Sequence, residues 1–95
     1  MQIEDSDLLR SRCYIGGEWL VADNGARLDV TDPASGEVVA RVPNLAAAET
    51  RRAIEAAERA WRPWRDLTAA ERGTMLRRWH DLMLENQEDL ARIMT

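Results

Sequence analysis

The sequence predicts an α/β chain in which two β-hairpins are followed by helices. Three observations predict it. Paired glycines and a Pro-to-Gly connection punctuate runs of strand-forming residues in the first half of the chain. Near Asn44 the apolar period changes from two to the helical i, i+3, i+4, i+7 spacing. Thr68-Ala69-Ala70-Glu71 then spells a capping box, in which hydroxyl and carboxylate satisfy two orphan backbone donors reciprocally.

Taken in order, Cys13-Tyr14-Ile15 and Glu18-Trp19-Leu20 flank Gly16-Gly17, whose access to positive φ suits a two-residue hairpin turn. Asp23-Asn24-Gly25 supplies a further turn. Leu28, Val30 and Asp32 then alternate with Asp29 and Thr31, the pattern of a half-buried strand. Asp32-Pro33-Ala34-Ser35-Gly36 makes a tight connection to a second strand-like run, Glu37 to Val42, which closes at Pro43-Asn44. The hairpins thus occupy 13–43 and the helices 46–95.

In the first helix Thr50, Ala53, Ile54, Ala57, Ala60, Trp61 and Trp64 share one face, while Arg51, Arg52, Glu55, Glu58 and Arg59 take the other. Pro63 lacks an N–H and disfavours helical backbone at Arg62, so this helix is predicted to end or kink near Trp61. The helix begun by the capping box buries Met75, Leu76, Trp79, Leu82 and Met83. Asn86 is predicted to cap a third helix, with acids in its first turn and Leu90, Ile93 and Met94 on its apolar face. That helix reaches only about two turns before Thr95, with no glycine cap, which reads as a chain cut short.

The totals narrow the function classes. A length of 95 residues allows one small domain. Seventeen acids against 13 arginines, a net charge of -4, give no general attraction to nucleic acid or anionic membranes, so neither is predicted as a partner. There is no lysine for a Schiff base or phosphate loop. Cys13 is the only cysteine, which excludes an intrachain disulfide or multi-cysteine zinc site, and Glu4, Asp5 and Asp7 are the opposite of a cationic secretory leader. A cytoplasmic location is predicted.

Individual residues offer little chemistry. Cys13 has no histidine near it in sequence and reads as a small buried hydrophobe; His80 reads as a boundary residue. Gly16, Gly17 and Gly36 are turn glycines, because a dinucleotide cradle needs three spaced glycines between a strand and a helix N-terminus. Trp61, Trp64 and Trp79 keep helical register with alanine, leucine and methionine, which predicts packing in preference to base stacking. Glu55 and Arg59, at i, i+4, suggest a solvated ion-paired face.

The phrases Cys13–Leu20, Thr31–Pro43, Ala47–Trp61 and Trp64–Arg72 resemble the opening of the aldehyde dehydrogenase superfamily, and Leu76–Thr95 is most similar to its NAD(P)-dependent succinate-semialdehyde dehydrogenases. The resemblance implies the N-terminal part of a Rossmann-like cofactor domain, truncated, with the catalytic domain absent. It further implies a parent, a homo-oligomer, that oxidises an aldehyde to its carboxylate with NAD or NADP. No catalytic or cofactor-binding residue is expected in these residues, no cofactor is expected to bind them alone, and their partner is the missing remainder of the polypeptide. One metal role carries over: in some members backbone carbonyls ahead of an N-P-x-T-G-E turn hold a monovalent cation, and the matching residues are Val30 and Thr31, although Asp32 and Ser35 replace the usual Asn and Thr. Relatives often carry a small polar cap where Ala46 stands, which implies a weaker helix start. A free-standing interaction module using the Trp-bearing helices, and a truncated gene product without function, are the rival readings.

Overall fold

The turn chemistry is realised first. In a computed structural model describing residues 1–95, β1 (Cys13–Ile15) and β2 (Glu18–Leu20) pair antiparallel around Gly16 and Gly17, whose φ of 59° and 82° supply the two positive values a type I′ turn demands. Tyr14 faces Trp19 across the pair with ring centroids 4.9 Å apart, and the Arg10 guanidinium lies 4.6 Å over the Trp19 ring.

The second hairpin joins β3 (Arg27–Thr31) to β4 (Val38–Pro43), with Asp29 opposite Arg41 and an ion pair of 2.9 Å between them. Its connection is held locally. Asp32 Oδ1 accepts the Ala34 N–H, Ser35 Oγ accepts the Glu37 N–H, and the Gly36 N–H, at φ 77°, closes onto the Asp32 carbonyl. A register shift between Val30 and Thr31 leaves Val39 unpaired, a β-bulge. The sequence expectation of a half-buried strand at Leu28–Asp32 is corrected: every residue of β3 is exposed, because no layer within this chain packs on either face.

Three helices follow: α1 (Ala47–Asp66), α2 (Ala69–Glu85) and α3 (Gln87–Met94). The α2 capping box forms as spelled, Glu71 N–H to Thr68 Oγ1 at 3.1 Å and Thr68 N–H to Glu71 Oε2 at 2.8 Å. Two expectations are corrected here. Helix α1 does not end near Trp61; it continues through Pro63 to Asp66. Pro63 stands in the last turn, where it forfeits a single N–H bond, and Arg72 bonds the carbonyls of Trp64, Arg65 and Leu67 that follow. Asn86 does precede α3 but contributes no side-chain cap to it; its amide instead donates to the Leu82 carbonyl at 2.8 Å and terminates α2.

The chain divides into two units, Arg10–Arg59 and Met1–Leu9 with Ala60–Thr95. Neither holds a large apolar core. Ala22 and Pro43 are the buried apolar residues, and no large side chain is fully enclosed. The total accessible surface is 7852 Å², against about 5,500 Å² for a folded monomer of this mass. The helical apolar faces are exposed, Trp61 at 56% and Trp79 at 60%. No helix is long and apolar enough to cross a membrane.

Candidate functional site

Polar groups removed from water need partners, so the buried polar side chains mark the sites the fold has built. There are two, Glu49 and Asp89, each 6% exposed. Glu49 sits in the first turn of α1, where Oε2 accepts the Ala46 N–H at 3.5 Å and the Asp23 N–H at 3.3 Å. It therefore supplies the carboxylate half of a capping box whose other half is absent at Ala46, and ties the turn after β2 to the helix. Arg52 reinforces this junction with a 2.7 Å ion pair to Asp23, an interaction that raises the Arg52 pKa further. The expected Glu55–Arg59 pair is not among the ion pairs formed; within the unit the helical arginine that finds a carboxylate is Arg52, which reaches across to Asp23.

Asp89 lies in the first turn of α3. Its Oδ1 accepts the Glu4 N–H and its Oδ2 the Asp5 N–H, both at 2.8 Å, and the Arg92 guanidinium stands 3.7 Å away. The Asp5 and then the Glu4 N–H hold the Asp89 carboxyl below the usual aspartate range, Arg92 adding to the effect and burial opposing it. Asp5 also accepts the Asp7 N–H at 3.0 Å, capping a single 3₁₀ turn, Ser6–Leu8.

The other candidates stay apart. Cys13 is half-buried and free, and His80 Nδ1 lies 3.2 Å from its neighbour Asp81 on an exposed helix face. Val30 and Thr31 lie in β3 opposite the bulge at Val39, paired with Ala40 and Val38, immediately ahead of the Asp32–Gly36 connection. No group of three His, Cys, Asp or Glu side chains is arranged to hold a metal ion. The positive-φ glycines 16, 17, 25 and 36 all lie in turns among the strands, none at a helix N-terminus. Sequence reasoning missed Glu49, Asp89 and Arg72 as structural ligands. Their first-turn positions were legible, but the remote backbone groups they bind were not.

Two antiparallel hairpins leading into three helices define an α/β segment. The chain belongs to the aldehyde dehydrogenase family, which its residues 19–95 match. It is 60% identical over its whole length to a glutarate-semialdehyde dehydrogenase of Pseudomonas putida, and 55% identical to the NADP(+) succinate-semialdehyde dehydrogenase of Escherichia coli, covering 20% of each. The crystal structure of a succinate-semialdehyde dehydrogenase from Burkholderia pseudomallei superposes with a TM-score of 0.94 at 54% identity, over 98% of this chain and 19% of that one. The chain therefore spans about a fifth of the length of these relatives.

Proposed function

We propose that these residues form the N-terminal scaffold of the cofactor-binding domain of a longer NAD(P)-dependent dehydrogenase. That enzyme oxidises an aldehyde carrying a distal carboxylate, succinate or glutarate semialdehyde, to the dicarboxylate. Aldehyde, water and NAD(P)⁺ give carboxylate, NAD(P)H and two protons. The observation that carries this reading is identity of 60% and 55%, across the full chain, with two enzymes named for those semialdehydes. The chain's own residues contribute shape: hairpins fixed by turn chemistry and Glu49, and helices whose apolar faces are made to be covered. On this reading the remainder of the same polypeptide covers them, in a cytoplasmic homo-oligomer, and the Val30 and Thr31 carbonyls share in holding a monovalent cation.

The test is to follow the reading frame past the Thr95 codon, express the complete polypeptide, and compare kcat/KM for succinate semialdehyde, glutarate semialdehyde and butanal with NAD⁺ and NADP⁺. The carboxylated substrates should lead butanal by about a hundredfold or more, because a site built to bind a charge leaves that group unpaired when the substrate lacks it. Equal kcat/KM for butanal would remove the substrate assignment while keeping the family. A frame that ends at Thr95 would favour the interaction module. The 95-residue chain by itself should show no aldehyde-dependent nicotinamide reduction.

A further inference from the structure

We propose that Met1–Leu9 is a strap latched shut by a single side chain, Asp89, whose carboxylate grips the backbone N–H groups of Glu4 and Asp5. The two donors are consecutive in sequence and lie 85 and 84 residues from their acceptor, so the contact is a closure of distant chain and not local capping. Each carboxylate oxygen takes one N–H at 2.8 Å, the short distance of charge-assisted bonds. Asp89 gives its carboxylate to the strap and not to its own helix, whose Asn86 N–H is already bonded to the Leu82 carbonyl. A carboxylate at the third position of a helix ordinarily turns back to the capping residue's N–H, yet here both oxygens point away and Asn86 gives α3 no side-chain cap.

Partial burial of Ile3, Leu8 and Leu9 is the strap's other support. Its only regular structure is the 3₁₀ turn Ser6–Leu8, capped by the Asp5 side chain, while the Asp5 N–H belongs to Asp89. One residue thus links the latch to the shape of the strap. Met1, Ile3, Leu9 and Arg92 line a shallow depression of about 670 Å³ along it. The polar tie between this segment and α3 is the pair of hydrogen bonds to Asp89. The strap is therefore a two-state element that opens as a unit when the Asp89 contact is lost. Opening also exposes the Asp89 carboxylate.

The experiment compares wild type, Asp89→Asn and Glu4→Pro in the complete polypeptide that carries these residues, by hydrogen exchange and by trypsin cleavage after Arg10. Asp89→Asn removes the charge and places donors where an acceptor is needed; Glu4→Pro removes one donor from the strap side without touching α3. Both should speed exchange within residues 1–9, and cleavage after Arg10, by about tenfold, what losing one charge-assisted hydrogen bond corresponds to. Protection in α2 and α3 should stay at the wild-type level. Should Asp89→Asn fail to fold, Glu4→Pro alone decides. Unchanged exchange and cleavage in the variants would overturn the latch, as would loss of protection spread through α2 and α3, which would make Asp89 part of the helical structure and not a latch.

Discussion

The Asp89 carboxylate can accept two backbone N–H groups only while it is ionised, so the strap contact is linked to pH. Those N–H groups hold its folded pKa below the unfolded value. The stabilisation is then fully present above the unfolded value, about 3.9 for aspartate, and is lost as pH falls through the lower folded value. The charged groups around it are Arg92, which supports the ionised form, and Glu4, Asp5, Glu85 and Glu88, which with Asp89 line a second shallow hollow. A ¹H–¹⁵N titration should show the Glu4 and Asp5 amides keeping hydrogen-bonded shifts down to pH 4 and losing them with a midpoint under about 3.9. A midpoint at or above the ordinary value would mean that the bonds do not favour the ionised form. The lesson for sequence reading is that an acid in a first helical turn shows its helix position but not its partner. Asp89 reads as a dipole-stabilising acid, and only the folded chain brings Glu4 and Asp5 to it.

At the scale of elements, α1 shows a local rule overridden. Proline within a helix interior costs about 3 kcal/mol, through the missing donor and the clash with the carbonyl four residues before. In α1 the missing donor is the partner of the Arg59 carbonyl, and beyond it only Trp64, Arg65 and Asp66 remain. The Arg72 bonds to the carbonyls at and just beyond this end come from the next helix, so a partner 5 to 8 residues on supports a turn that α1 would not keep by propensity. Replacing Pro63 with Ala should restore the bond to Arg59 and stabilise the last turn by less than about 3 kcal/mol, since fraying ends recover only part of an interior effect. Higher amide protection at residues 63–66 would show this; unchanged protection would mean that Arg72 already compensates fully.

For the whole molecule the decisive fact is surface. Ile54, Trp61, Met75, Leu76 and Trp79 are each more than half exposed. Exposed apolar patches of this kind mark an interface or an association hazard, and amphipathic helices draw most of their stability from burying such a face. The chain in isolation should therefore show helical circular dichroism with a broad thermal transition, bind a dye specific for exposed apolar surface, and sediment as a mixture of oligomers. A monomer with a steep two-state melt and no dye binding would show instead that these residues form a self-sufficient domain.

Turns, caps and helix identity were legible in the amino-acid order because they depend on neighbours within a few residues. Gly16-Gly17 needs positive φ, Asp32 and Ser35 bond amides two residues on, and Thr68 and Glu71 close a box over three. Apolar periodicity likewise showed which helix faces would require covering. What the sequence left open was where polar groups go when their partners are remote: Glu49 to Asp23, Arg72 to the end of α1, Asn86 back to α2 and Asp89 to the strap. It also left open that Leu28 and Val30 stay exposed on a strand whose alternation called for a covered face. Hydrogen bonding and burial are set by distances in space, and only the tertiary structure brings residues 4 and 89, or 23 and 49, within reach of each other.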